Sequence, residues 1–120
     1  MKFSWATIRV RDLEESLEFY EDIVGLEVEK RMEMGEGQTI LFLGKGETKL
    51  EIVYEQGYKD IDMGTSISLG FEVDSVREKI DYLNKKGLEI HSGPFCPVPS
   101  IEFFYVMDPN GLKIQFIENK

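Results

Sequence analysis

The chain contains two copies of one sequence unit. Ile8–Tyr20 and Gly25–Val28 recur later as Phe71–Leu83 and Gly87–Ile90, with apolar residues, acidic residues and glycine in matching places. An internal repeat indicates two copies of one supersecondary unit that pack together, so it constrains the fold more than any single motif.

The two copies also end alike. Lys49–Val53 closes the first and Lys113–Ile117 closes the second, which makes Glu51 and Gln115 equivalent positions. A copy of about 60 residues is too short to bury a sizeable core alone. We therefore expect residues 1–120 to form a single domain, with module one at about 1–60 and module two at about 65–120.

Each copy predicts the order βαβββ, because runs of branched and aromatic residues flank one helical pattern. The predicted strands of the two modules are Trp5–Val10, Leu26–Arg31, Thr39–Leu43 and Lys49–Tyr54, and then Ile67–Val73, Leu88–Ser92, Glu102–Met107 and Leu112–Glu118. Asp108-Pro-Asn-Gly is typical of a tight turn between the last two strands. The fold class is therefore α+β.

The helices have recognisable starts and apolar faces. Asp12 followed by Glu15 is a capping-box pattern, and Asp74 or Ser75 begins the second helix. Glycines at 25 and 87 end them. The predicted buried stripes are Leu13, Leu17, Tyr20 and Val24 in the first helix and Val76, Ile80 and Leu83 in the second.

The charge balance narrows the choice of partners. With 23 acidic and 14 basic residues the net charge is -9, which repels phosphate backbones and favours neutral or cationic partners. No apolar run is long enough to span a membrane, and the single cysteine cannot form an internal disulfide. We expect a soluble, cytoplasmic protein that binds neither nucleic acid nor a membrane.

The tandem repeat resembles the vicinal oxygen chelate superfamily, which includes glyoxalases, bleomycin-resistance proteins and extradiol dioxygenases. The resemblance rests on Ile8–Tyr20, Phe71–Asp74 and the segment from Asp108 to Glu118, in that order along the chain. It implies that the modules form a half-open eight-stranded barrel around a cleft. It also implies a homodimer whose clefts include both subunits.

The resemblance places four metal-ligand slots, commonly His, Glu, His and Glu, on the first and last strands of each module. In this chain the slots hold Trp5, Glu51, Ser68 and Gln115, and the internal repeat pairs Trp5 with Ser68. An indole, a hydroxyl and an amide beside one carboxylate are poor ligands for a transition metal. We therefore expect no bound metal and no other cofactor.

Several side chains are candidates for lining the cleft. Leu50 and Ile52 alternate with Glu51, so Glu51 is expected to point into the cleft as a base or as an anchor for a ligand amine. Other predicted lining residues are Trp5, Ser68, Gln115, Phe95, Tyr54, Phe103 and Tyr105. The spacing of Tyr54, Phe71, Phe103 and Tyr105 is typical of strands, and it predicts that these four are mainly core, with one or two lining the pocket. His91 is expected to be a surface or packing residue, and Cys96 a buried or inert thiol in a loop.

Three functions remain open at this stage. The first is a metal-independent small-molecule binding protein, similar to the bleomycin-resistance type, with a cationic or aromatic ligand. The second is a metal-dependent lyase or isomerase of the glyoxalase type, in which Glu51 and Gln115, Glu118 or Glu102 rebuild an oxygen-ligand site for a hard cation. The third is an interaction module without a ligand, in which Trp5 fills the cavity.

Overall fold

The computed structural model describes all 120 residues and divides into two compact units, Met1–Asp62 and Met63–Lys120. The division falls between the two copies of the repeat. The elements in chain order are β1 (Trp5–Val10), α1 (Leu13–Glu18, continued by a π-helical segment at Phe19–Val24), β2 (Val28–Glu33), β3 (Gln38–Leu43), β4 (Lys49–Glu55), β5 (Ser68–Glu72), α2 (Val76–Lys85), β6 (Ser92–Val98), β7 (Ile101–Met107) and β8 (Lys113–Asn119). Neither helix has the length and apolar character needed to cross a membrane.

Each unit is one βαβββ module with its own four-stranded sheet. The strand order is β1-β4-β3-β2 in the first unit and β5-β8-β7-β6 in the second. In both, the first and last strands pair in parallel and the remaining pairs are antiparallel. The predicted α+β tandem repeat is confirmed. The eight strands hydrogen-bond as two separate sheets and do not close into one barrel.

The first helix starts as predicted but buries a different face. Asp12 accepts a hydrogen bond from the Glu15 backbone N–H at 2.9 Å, which confirms the N-cap. The buried residues are Ser16, Phe19, Tyr20 and Ile23, while Leu13, Leu17 and Val24 are half-buried. The predicted stripe was therefore largely wrong. A π-helical segment after Glu18 changes the number of residues per turn, and an α-helical period no longer describes the face.

The second helix follows the sequence pattern closely. Its N-cap is Ser75, whose hydroxyl accepts from the Glu78 N–H at 3.1 Å. Val76 and Leu83 are fully buried and Ile80 is half-buried, so the predicted stripe faces the core. This helix contacts β7 and β8, the two central strands of its sheet.

The strand predicted at Leu88–Ser92 was misplaced. Residues 88–91 form no strand, and β6 begins at Ser92 and runs through the proline-rich segment that was expected to be a loop. The reason is the position of β6 at the edge of its sheet, where Pro94 and Pro97 cost few hydrogen bonds because one side of the strand has no partner.

The turn between β7 and β8 is built around a buried carboxylate. Asp108 is 5% exposed and accepts hydrogen bonds from the backbone N–H groups of Asn110 and Leu112 at 2.8 and 2.7 Å. The predicted Asp-Pro-Asn-Gly turn is confirmed. It fixes the register of β8, the strand that carries Gln115.

Candidate functional site

The first unit presents Trp5 and Glu51 on one face of its sheet. Trp5 lies opposite Lys49 in the parallel β1–β4 pair, and Thr7 lies opposite Glu51. Because side chains alternate along a strand, these positions share a side, while Leu50 and Ile52 are buried on the other. The predicted orientation of Glu51 relative to its neighbours is confirmed. We call the side of each sheet that carries its two slots the slot face.

Trp5 packs against a second aromatic ring on this slot face. The ring centroids of Trp5 and Phe42 are 5.1 Å apart in an edge-to-face arrangement, a favourable geometry for aromatic pairs. Trp5 nevertheless remains 49% exposed. It does not fill a cavity in the first unit, which contradicts the premise of the interaction-module alternative.

Glu51 lies beside the aromatic pair and has no cationic partner. Its carboxylate accepts a hydrogen bond from the Thr7 hydroxyl, and its antiparallel neighbour is Phe42. The ammonium of Lys49, two residues away, donates instead to the Gly44 carbonyl at 2.6 Å. Glu51 therefore keeps its negative charge available beside two rings.

Glu55, four residues further along β4, differs from Glu51 in this respect. The guanidinium of Arg9 lies 3.5 Å from the Glu55 carboxylate in a solvent-exposed ion pair. Glu51 and Glu55 thus lie on the same face of β4, but only Glu55 has a cationic partner.

The second unit presents Ser68 and Gln115 on its slot face. Ser68 lies opposite Lys113, and Gln115 lies between Gly70 on β5 and Tyr105 on β7. The Gln115 amide donates to the Tyr105 hydroxyl at 3.2 Å. A Cβ on Gly70 would come within 3.1 Å of the Gln115 amide oxygen, so glycine leaves room for this side chain.

Three aromatic side chains form a cluster on the same slot face. Phe95, Phe103 and Tyr105 lie with ring centroids 5.6 to 6.4 Å apart. Phe103 and Tyr105 are half-buried, and Phe95 is exposed. The structure thus brings together three of the aromatic residues that the sequence suggested, and they lie next to Gln115.

Other residues singled out from the sequence lie elsewhere. Tyr54 is on the opposite side of β4 from Glu51, with Lys59 over its ring at 5.5 Å, so its assignment to the ligand site was wrong. Cys96 is exposed rather than buried, and its thiol points to the Val98 carbonyl at 3.4 Å. His91 is exposed beside Ser92, as expected for a surface residue.

Four residues on the slot faces were missed. Thr7 and Gly70 each follow a slot by two positions, Lys113 precedes one by two, and Phe42 pairs with Glu51 across the sheet. Strand alternation would have identified the first three, since every second residue shares a face. Phe42 required the register between β3 and β4.

The side chains at the four slots do not fit a transition metal. Only Glu51 offers a carboxylate, and an indole, a hydroxyl and a primary amide are not the imidazole, thiolate or carboxylate donors that such ions select. No group of three or more histidine, cysteine, aspartate or glutamate side chains is arranged to hold a metal ion.

The residues proposed to rebuild an oxygen-ligand site are also turned away. Glu102 and Glu118 pair with each other in register and alternate with Gln115, so they lie on the opposite side of the sheet. Glu118 accepts from the Val76 N–H at 2.8 Å, and Glu102 pairs with Lys120 at 3.0 Å. The hydrogen bond that the Lys120 ammonium donates to Glu102 raises the pKa of Lys120. Both carboxylates are thus occupied structurally, and their assignment as ligands alongside Gln115 was wrong.

A family model described as the Glyoxalase/Bleomycin resistance protein/Dioxygenase superfamily matches residues 2–116. The chain belongs to this superfamily. The resemblance found in the repeat is therefore confirmed, and it extends over nearly the whole sequence.

Relatives within the glyoxalase superfamily cover the chain from end to end. A lactoylglutathione lyase from Neisseria meningitidis serogroup A is 30% identical over 128 positions, covering 100% of this chain and 92% of that protein. A lactoylglutathione lyase from Haemophilus influenzae is 31% identical, and the match covers 100% of this chain and 94% of that protein. The trypanothione-dependent glyoxalase I of Leishmania major has a TM-score of 0.85 at 25% identity, covering 98% of this chain and 86% of that one.

These similarities support the general assignment of the chain as a glyoxalase-like protein. They favour the glyoxalase-type alternative over metal-independent binding, which they do not confirm. The side chains at the four slots instead favour metal-independent binding.

Proposed function

We propose that this glyoxalase-superfamily chain binds small organic molecules at its slot faces and needs no metal to do so. The observation that carries the proposal is the chemistry of the side chains at the slots: an indole and a carboxylate on the first unit, and a hydroxyl and an amide on the second. These groups stack on rings and form hydrogen bonds, which are the interactions that bind organic ligands.

The slot face of the first unit is anionic and aromatic. Glu51 has no cationic partner and lies beside the half-exposed Trp5 and its neighbour Phe42. Aromatic faces and a carboxylate together favour a positively charged group such as a quaternary ammonium. This agrees in sign with the net charge of -9.

Replacing Glu51 by glutamine is expected to weaken binding of an aromatic cation about tenfold, since one charge-assisted contact is worth about 1.4 kcal/mol or more. The probe is benzyltrimethylammonium, titrated with and without EDTA. Trp5 is the only tryptophan, so its fluorescence reports directly on this face.

The matched control is Glu55→Gln, which removes the same charge from the same strand, where it is already paired with Arg9. The Glu55 variant is expected to bind within about twofold of the unmodified protein. Loss of binding in EDTA, or equal losses in the two variants, would contradict the proposal.

Full-length similarity to lactoylglutathione lyases favours a second candidate, a glyoxalase-type lyase or isomerase. In that case Glu51 is the one slot residue able to remove a proton from a carbon acid, as a general base. The test is an assay for formation of lactoylglutathione with the unmodified protein and Glu51→Gln. Activity that Glu51→Gln abolishes would support the lyase, and no activity beside intact probe binding would support the binding protein.

The predicted homodimer stays a prediction. We propose that two copies associate, as the family resemblance implies. Sedimentation equilibrium of the full chain measures this directly.

A further inference from the structure

We infer that the slot face of the second unit recognises an aromatic ring bearing an anionic group, such as an aromatic carboxylate. The inference rests on the proposed function, because it assigns a class of ligand to one of the two slot faces. It concerns only groups carried by β5, β6, β7 and β8, and the charge it predicts is opposite to that favoured by Glu51.

The ring would be bound by the cluster of Phe95, Phe103 and Tyr105. The centroid separations of 5.6, 5.7 and 6.4 Å leave these rings tilted or edge-to-face, with Phe95 44% exposed. An exposed edge-to-face cluster offers ring faces to a further aromatic group. The cluster alone does not distinguish a charged ligand from a neutral one.

The polar groups beside the cluster are mainly donors. The Tyr105 hydroxyl oxygen already accepts from the Gln115 amide at 3.2 Å, so its own proton is free to be donated to another group. The Gln115 amide oxygen is directed toward Gly70, where a Cβ would be only 3.1 Å away. Ser68, exposed on the neighbouring strand, adds a hydroxyl.

Lys113 adds a positive charge to these donors. Its ammonium lies 4.9 Å from the centre of the Tyr105 ring, and no carboxylate forms an ion pair with it. The glutamate on the slot face of β5, Glu72, is four residues from the strand position opposite Lys113, about 13 Å along the strand. Glu72 is also held by the Asn119 amide at 2.6 Å.

A ring with an acidic substituent matches this arrangement. The ring of the ligand contacts the aromatic cluster, and the oxygens of its acidic substituent accept hydrogen bonds from Lys113 and Tyr105. Hydrogen bonds to charged groups are roughly twice as strong as those between neutral groups. An acidic protein repels anions at long range. An unpaired ammonium among rings therefore gives local selectivity that the net charge of -9 does not predict.

The experiment compares three probes with one ring system on the full chain: 2-naphthoate, 2-naphthalenemethanol and 2-naphthylmethylamine. Affinities come from calorimetry, and the binding face is identified by amide shifts of Gly70 in two-dimensional NMR. The naphthoate is expected to bind at least tenfold more tightly than the other two. Lys113→Met is expected to weaken naphthoate about tenfold and to leave the alcohol unchanged.

The matched control is Lys86→Met, which removes an ammonium held 5.5 Å from the Tyr82 ring near the end of α2. This variant should bind naphthoate like the unmodified chain. Equal affinities for the three probes, or no effect of Lys113→Met, would overturn the inference, as would naphthoate binding that does not shift Gly70. Each of these results leaves the proposed function intact if benzyltrimethylammonium still binds at Trp5, and failure of all probes would overturn both.

Discussion

Replacing Phe104 by alanine is expected to lower the free energy of unfolding by about 3–5 kcal/mol, the usual cost of removing a large core aromatic side chain. Phe104 is 0% exposed and its ring lies 5.4 Å from that of Phe116. The loss combines the transfer of apolar surface to water with the cavity left behind. Urea unfolding followed by circular dichroism measures it.

The neighbouring Phe103 provides the control, because it belongs to the same strand and points to the slot face. It is half-buried, and Phe103→Ala is expected to cost about 1 kcal/mol. If Phe103→Ala destabilised the protein as much as Phe104→Ala, the assignment of the two sides of β7 would be wrong. The pair therefore tests which side of the sheet is core and which is available to a ligand.

Replacing Asp108 by alanine is expected to lower the free energy of unfolding by about 2–4 kcal/mol. Its carboxylate accepts two backbone N–H groups in a buried turn, and each unsatisfied buried donor costs about 1–3 kcal/mol. Thermal unfolding at pH 7 measures the loss as a lower Tm.

Asp108→Asn keeps an oxygen acceptor of the same shape and is the matched control. We expect it to retain most of the stability, because an amide oxygen still accepts the two N–H groups. An alanine variant as stable as the asparagine variant would show that these hydrogen bonds do not hold the turn.

Much of the fold could be predicted because the chain repeats itself. The offset that aligns Val10 with Val73 also makes Trp5 equivalent to Ser68, and the matching ends of the two copies make Glu51 equivalent to Gln115. The strands carrying these residues occupy equivalent positions in the two sheets. Local chemistry located the Asp12 cap and the Asp108 turn, since both depend on contacts between residues close in sequence.

The errors arose where local pattern was insufficient. The π-helical segment at Phe19–Val24 interrupts the α-helical period, and the spacing of the apolar residues does not predict it. Pro94 and Pro97 argue against a strand unless it is known to lie at a sheet edge, which depends on the strand order of the whole unit. Tyr54 comes three residues after Glu51 and lies on the opposite side of β4, as strand alternation predicts.

The site could be predicted in its positions more readily than in its chemistry. The slot positions could be predicted from the repeat and the family resemblance. The partners of each slot side chain depend on the register between paired strands, which the sequence does not give. Lys113 was not predicted, because its position over the Tyr105 ring depends on the pairing of β7 with β8. Glu51 was predicted, but the sequence does not show that it lacks the cationic partner that Arg9 provides to Glu55. Sequence similarity to lyases does not mean that this chain has metal-ligating side chains at the four slots.

The most direct test of metal-independent binding is elemental analysis of the purified native chain, combined with thermal-shift titrations with nickel, zinc, manganese and magnesium. We expect less than stoichiometric metal and no saturable rise in Tm, with Glu51→Gln behaving in the same way. Stoichiometric metal, or a saturable rise in Tm that Glu51→Gln removes, would contradict the account and make Glu51 a metal ligand in a glyoxalase-type enzyme.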